Sequence, residues 1–338
     1  MANGYKVLTD YTLTYERESS WGTEKDTTPI GIPTEDMVFN MEPDLHRLNR
    51  SWGYRGQHES NTWNDTFSTN PTATCSMIMT QEMLRDLLPG LLQADSDYSA
   101  ASEVWTMFTG NYADLPQPKT NGDGYFYTLC RNSPASADDE VITSAIVQSM
   151  TLKIGATDDE GILMADVEFL GKDYSRGATQ GGTISHMALT NMYKWGNITT
   201  ASGITFGSAD LTSDFVSAEI SITANAKHVS DIPDGEYVFP KWDVTTTIKC
   251  IANADTEAIK TKVLSRDVDL AEQLVIAFGT SKDTPAADSD LVFTSHAYAT
   301  GWDSDYAEGE VITFTFEGVF GNTAADEYPA RFEFFIAE

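Results

Sequence analysis

Basic residues are scarce in this 338-residue chain: Lys and Arg together number 21 against 51 Asp and Glu, a formal net charge of −30. Proteins that grip nucleic acid or anionic lipid do so with cationic side chains that neutralise phosphate. So acidic a chain is excluded from both roles, although it suits a surface that DNA must pass without sticking. Solubility is the plainer explanation of the charge. Cysteine is also rare. Cys75, Cys130 and Cys250 are odd in number and form no CxxC pair, which implies neither a disulfide framework nor a zinc cage. Reduced thiols in a cytoplasmically made protein are the expectation. No run of about eighteen apolar residues occurs, so no transmembrane helix is expected. The opening MANGYKVLTDYTLTYERESSWG is polar and has no apolar signal core, so secretion through a cleaved peptide is not expected either.

Chemistry is missing as well. There is no GxxxxGK[ST] loop, no GxGxxG leading from a strand into a helix, and no GxSxG nucleophile elbow. His46, His58, His186, His228 and His296 are scattered without HExxH or HxH spacing and read as ordinary polar side chains. Asp138-Asp139-Glu140 and Asp303-Ser304-Asp305 lack the spaced ligands and closing Glu of a calcium loop, so they read as solvated turn acids. With 51 carboxylates, proposing any two as a glycosidase pair has no content. The expectation is a non-enzyme with no catalytic residue, no metal and no cofactor.

What is present is strand. With 41% hydrophobic and 21% charged residues the composition is that of a folded protein, and a chain of this length buries roughly three quarters of its unfolded surface. SMTLKIG (149–155) alternates, with Met150, Leu152 and Ile154 on one face and Ser149, Thr151 and Lys153 on the other. An acidic turn ending in Gly161 follows, and Ala165, Val167 and Phe169 then alternate with Asp166, Glu168 and Leu170; two period-2 runs around such a turn make a hairpin. The same texture recurs at 215–223, 241–251, 272–279, 291–299, 310–320 and 330–336, where Val, Ile, Thr and Phe favour strands. Ile312, Phe314, Phe316 and Phe320 are expected to share one core face, and Trp242 to lie in line with Val244, Thr246, Ile248 and Cys250. The seven tryptophans read as core or interface packing rather than sugar platforms.

Two short helices punctuate the strands. TQEMLRDLLPGLL (80–92) has Thr80 as N-cap and Met83, Leu84, Leu87, Leu88 and Leu91 along one side, with Pro89 and Gly90 bending or ending it. NADTEAIKTKVL (253–264) places Ile259 and Val263 four apart. Their positions suggest an internal repeat, since each half reads strand, polar loop, Thr/Cys-containing strand, helix and terminal strands. The expected organisation is a first β domain over 1–170, a Gly/Ser/Thr-rich connecting segment over 171–210, and a second β domain over 211–338.

The stretches YTLTYERESSWGTEKDTTPIGIPTE, SMTLKIGATDDEGILMADVEFLGKDYSRG, VSAEISITANAKH and GEVITFTFEGVFG…ARFEFFIAE, taken in that order, resemble the tail tube (major tail) proteins of long-tailed bacteriophages. The likeness covers nearly the whole chain and rests on the order of the motifs. It implies an all-β barrel or sandwich subunit with a flanking helix, which the internal repeat would duplicate in tandem. It further implies a virion protein that forms rings stacked into a hollow tube, through which DNA leaves without specific binding. Rings of three chains with pseudo-sixfold symmetry, or of six chains, are both open. The implied partners are other copies of the chain, the tape measure, the tail terminator and the baseplate or tip; no membrane is involved. Trp21 in the N-terminal arm, and Arg47, Arg50, Trp52 and Arg55 in the loop from Pro43 to Phe67, are the candidates for ring-to-ring contact, since a local basic cluster would find acidic partners on the next ring. A β-sandwich adhesin or carbohydrate-binding protein, and a capsid-decoration protein, remain alternatives.

Overall fold

The computed structural model describes residues 12–18, 24–25, 27–32, 34–40, 43–47, 64–69, 71–92, 97–99, 104–109, 125–132, 139–156, 161–178, 182–186, 192–229, 236–239, 241–265, 271–280, 285–287, 290–305, 311–320 and 328–336. Alternation of apolar and polar residues along the chain becomes strand almost throughout. The first half contains β1 (Thr12–Arg17), β2 (Ile30–Gly31), β3 (Thr34–Asn40), β4 (Pro43–Arg47), β5 (Asn64–Thr69), β6 (Thr72–Ile78), helix α1 (Gln81–Leu92), β7 (Asp97–Ser99), β8 (Val104–Phe108), β9 (Tyr127–Asn132), β10 (Asp139–Gly155), β11 (Met164–Leu170), β12 (Asp173–Ala178) and β13 (Ser185–His186). The second contains β14 (Ile204–Phe206), β15 (Ala209–Asp210), β16 (Phe215–Thr223), β17 (Lys227–Val229), β18 (Glu236–Val238), β19 (Asp243–Ile251), helix α2 (Ala254–Ser265), β20 (Glu272–Phe278), β21 (Leu291–Asp305), β22 (Val311–Gly318) and β23 (Arg331–Phe335). The protein is mainly β with two short helices, as the periodicity predicts. None of the described helices is long and apolar enough to cross a membrane.

Strand pairing repeats in the two halves. In the first, β1 pairs with β2 and β9, β3 with β6, β6 with β11, and β10 with β9, β11 and β12. In the second, β14 pairs with β15 and β20, β16 with β19, β19 with β22, and β21 with β20, β22 and β23. A separate two-stranded hairpin, β4–β5 or β17–β18, sits at the same place in each order. Even the irregularities recur. A bulge interrupts β10 against β11 between Val147 and Ser149, and β21 against β22 between Ala299 and Gly301. Another interrupts β3 against β6 between Thr34 and Asp36, and β16 against β19 between Phe215 and Ser217. Bulges fix register, so matched bulges align the halves residue by residue.

The long strands β10 and β21 each serve two layers. The early part of β10 pairs with β9 and β12, and its later part with β11 and β16. Because β16 belongs to the second half, the two halves share one continuous sheet in the order β3–β6–β11–β10–β16–β19–β22–β21. Among the described residues the pairings branch at β10 and β21 but never return to a starting strand. The architecture is thus a sandwich, and of the two forms anticipated the closed barrel is excluded: a strand shared between layers lets the second layer fold over the first without edges meeting.

Inside the sandwich lies one contiguous apolar core, which runs through both halves. Ile312, Phe314 and Phe316 are fully buried, each apolar side chain contributing about 1.5–3 kcal/mol on burial. Phe320 departs from the expectation: it follows the end of β22 and is only half-buried. Trp242, Val244, Thr246, Ile248 and Cys250 line the core as alternation requires. The segment 171–210, read from sequence as a connection, carries β12, β13, β14 and β15.

Each helix begins at a side-chain cap. The Met83 N–H donates to Thr80 Oγ1 at 3.3 Å, and α2 opens with a reciprocal box in which the Thr256 N–H donates to Asn253 Oδ1 and the Asn253 N–H to Thr256 Oγ1, both at 2.8 Å. Pro89 does not end α1, which continues to Leu92. The helix is clamped instead: the Tyr15 hydroxyl donates to Asp86 Oδ2 at 2.7 Å, the Tyr127 hydroxyl to the Asp86 carbonyl at 2.5 Å, and Trp242 Nε1 from the second half to the Leu91 carbonyl at 2.9 Å.

Glycine marks the repeat too. Gly171 follows β11 and Gly318 ends β22, and they lie against matched positions of the equivalent inner strands, Pro71 just before β6 and Val244, the second residue of β19. A Cβ on Gly171 would stand 2.1 Å from Ile142 Cγ2, and one on Gly318 would stand 2.7 Å from the Pro329 carbonyl and 3.0 Å from Val244 Cβ. We expect Gly171→Ala and Gly318→Ala each to cost about 1–3 kcal/mol through overpacking, read as a lower denaturant midpoint. All three cysteines are buried, and burial, with Asp214 nearby, pushes the Cys250 thiol up to about 12. None should react with a thiol reagent at neutral pH until the protein unfolds, and native-state labelling followed by mass spectrometry checks this.

Candidate functional site

One face of the eight-stranded sheet covers the core; the other is open. Cross-strand partners share a face, so the register identifies the open surface row by row. One row runs Ser76–Asp166–Thr151–Ser221–Thr245–Glu317. A second runs Thr74–Glu168–Ser149–Thr223–Asp243. Further along lie Glu219 beside Lys153 and Thr247, and then Ser217, Lys249, Thr313 and Asp303. None of these residues is buried. Among the side chains the structure describes, seven carboxylates (Asp166, Glu168, Glu219, Asp243, Asp303, Asp305 and Glu317) stand on this face against two lysines, Lys153 and Lys249. Most other positions are Ser or Thr, with Ile78 and Met164 in the Lys153 row, Ile251 and Val311 in the Asp305 row, and Val38 opposite Thr74.

The arrangement is mainly hydroxylated and negatively charged, with exposed apolar side chains at its margins, Val38 on β3 and Ile251 at the end of β19. Hydroxyls are partly tied to each other and to acids: Thr151 Oγ1 donates to Ser221 Oγ at 3.2 Å and Ser149 Oγ to Glu168 Oε2 at 3.3 Å. Lys153 Nζ sits 2.5 Å from Asp166 Oδ2, and Lys241 Nζ, next to β19, 2.6 Å from Asp243 Oδ1. Partial burial works to raise the Asp166 carboxyl, but hydrogen bonds from Lys153 and Ser76, with the lysine charge, outweigh it and hold the group below the usual aspartate range. Asp243 is held down in the same way, burial being outweighed by Lys241 and by Asn225 Nδ2 at 2.7 Å. With two lysines against seven carboxylates, and Lys153 already paired with Asp166, the face has little cationic capacity for a phosphate backbone.

Among the described residues no nucleophile–base pair stands on this surface, and a hollow bordered by Val38, Thr74, Ser76, Ser149, Thr151, Asp166 and Glu168 is open to solvent. Among the described residues no group of three or more His, Cys, Asp or Glu could hold a metal ion. Of the residues marked by sequence for ring-to-ring contact, Trp21, Arg50, Trp52 and Arg55 lie outside the described residues; Arg47 ends β4, opposite Asn64 of β5. Sequence reasoning placed Ser149, Thr151, Lys153, Asp166 and Glu168 on polar strand faces but did not join them to Glu219, Asp243, Lys249, Asp303 and Glu317. The alternation of charge with Val, Thr and Ile in DVTTTIKCI carried that signal.

No protein-family model matches the chain, and no curated protein matches it significantly.

Because the folded Asp166 value is depressed, its contribution to stability is complete above the ordinary aspartate pKa of about 3.9 and is lost as pH falls through the lower folded value. Lys153→Met should move the Asp166 titration upward toward that ordinary value, as read by carboxyl NMR; an unchanged midpoint would show that Lys153 does not hold the group down.

Proposed function

We propose that this chain is a structural virion protein, a subunit that polymerises as stacked rings into the hollow tube of a phage tail. The observation that carries the reading is the open sheet face. A broad, rigid, hydroxylated surface with seven acids and two paired or flanked lysines suits the wall of a conduit that DNA slides past. Carboxylates repel phosphate at short range, and with two lysines among the described side chains of the face the counterion-release term that makes DNA adhere is small. Tandem duplication supports the same reading. A subunit built from two like units joined edge to edge already contains one ring-type junction, and three such chains per ring would give pseudo-sixfold symmetry. The sequence resemblance to tail tube proteins points the same way.

On this reading the neighbours are further copies of the chain, with the tape measure inside and the terminator and baseplate or tip at the ends. DNA crosses the lumen unbound. Arg47, Arg50 and Arg55 would meet acids of the adjoining ring.

Negative-stain electron microscopy of the concentrated, untagged protein, beside its mass in solution, tests the proposal. Hollow tubes or rings are the expected result; fixed small particles that bind a glycan would instead favour an adhesin. Reversing Arg47, Arg50 and Arg55 to Glu should leave the circular-dichroism spectrum unchanged and stop tube growth, and tubes of normal length would reject the ring-to-ring role. Replacing Asp166, Glu219 and Asp303 by Lys should convert the lumen face into one that retains duplex DNA, with retention falling steeply as salt rises.

A further inference from the structure

The seam between the two halves is itself a template. There β10 pairs with β16 over seven residues, from Ser149 opposite Thr223 to Gly155 opposite Ser217. The matched bulges assign each of these strands its counterpart: β21 for β10, and β3 for β16. Among the described residues, β3 pairs only with β6. Residues 301–304 of β21 pair, among the described residues, only with β22, because β20 and β23 stop at or before Ala297. The two ends of the chain's main sheet are thus the two edges that the internal seam brings together.

Exposure marks the same places. Trp302 lies two residues beyond the bulged position of β21 and is 39% exposed, whereas Met150, two residues beyond the bulged position of β10, is fully buried at the seam. Leu264 is the eleventh residue of α2 and is 71% exposed; Leu91, the eleventh of α1, is fully buried, and its carbonyl accepts the hydrogen bond from Trp242 of the second half. Val38, on the opposite edge strand, is 52% exposed. Trp302 and Leu264 therefore lie where the seam, if repeated, would cover them, and Val38, whose counterpart Glu219 stays exposed on the open face, would run beside it. An apolar, unpaired edge is a pairing surface unless something shields it.

We propose that the β21 edge of one chain pairs antiparallel with the β3 edge of a second copy, in the register of the internal seam. This deepens the ring-forming reading and rests on it for the identity of the occupant, another copy of the same chain. The register follows from the bulges. At the seam Lys153, five residues past its bulge, faces Glu219, three past its own. Transposed, Asp305 faces Val38, Ser304 faces Phe39 and Asp303 faces Asn40. The contact is head-to-tail, so it closes into a ring or continues as a filament, and it cannot stop at a twofold dimer.

Disulfide trapping tests it. Val38→Cys and Asp305→Cys are made as separate chains, mixed in equal amounts at high concentration and oxidised; the native cysteines are buried and stay out of the reaction. The mixture should give a covalent two-chain product that neither variant forms alone. A double variant should give a ladder ending at the ring size. Gly301→Cys in place of Asp305→Cys, four residues and about 13 Å along the strand, should cut the yield at least tenfold. Trp302→Glu with Leu264→Glu should reduce association of the otherwise unaltered chain by at least tenfold in sedimentation, with the circular-dichroism spectrum unchanged. Cross-linked pairs or rings without tubes in the microscope would uphold the edge pairing and defeat the tube reading. Tubes without the Val38–Asp305 link would defeat the edge pairing alone. A monomer that never cross-links, or equal linking by one variant alone, would overturn the inference.

Discussion

The ladder between β10 and β16 is the contact on which the rest depends. A strand offers two rows of hydrogen-bonding groups, and both must be satisfied if it is to lie inside a sheet. β10 satisfies four neighbours, β9 and β12 along its early part and β11 and β16 along its later part. It thereby ties the two layers of the first half together and binds the second half to the first. Without that ladder each half would carry an open edge, and Met150, Ile222 and Leu91 would lose the cover that buries them.

Helix packing shows what the seam does to residue choice. α1 is apolar or buried on almost every side because the second half closes over it, and the hydroxyls of Tyr15 and Tyr127 fix it from beneath. α2 buries only Thr256, Ile259 and Lys260 and keeps a charged outer side. Where Tyr127 opposes Ala145 in the first half, Glu272 opposes Ala297 in the second, and it holds its helix through an ion pair with Lys262. Like geometry is stabilised by a hydroxyl-to-carbonyl hydrogen bond where it is enclosed and by an ion pair where it is more open, because a partly exposed ion pair keeps part of its hydration while a buried one does not.

The polar sheet face and the acidic composition describe one property at two scales. A net charge of −30 says only that carboxylates abound; the register gathers seven of them, with rows of hydroxyls, on one side of a single sheet. Within a screening length of about 8 Å such a face holds phosphate away whatever the distant charges do. The buried acids play a different part. Glu18 takes hydrogen bonds from Thr128 and Ser144, and burial nevertheless raises its carboxyl above the usual range, so it serves packing near β9 and β10 rather than the open surface.

Period-2 alternation, two capped amphipathic stretches and the order of strand and helix in each half determined the all-β class, the β10–β11 hairpin, both helices and the repeat. These are local properties, written in nearest neighbours and in spacings of two or four residues. The open face escaped, because alternation says that Asp166 and Glu219 each point away from a core but not that both point away from the same one. The short strands within 171–210 escaped for a related reason: β14 forms where β20 is there to pair with it, and β15 pairs in turn with β14. Which side chains share a surface, and which edges are left to meet another molecule, depend on register between strands far apart in the chain, and only the folded sheet decides that.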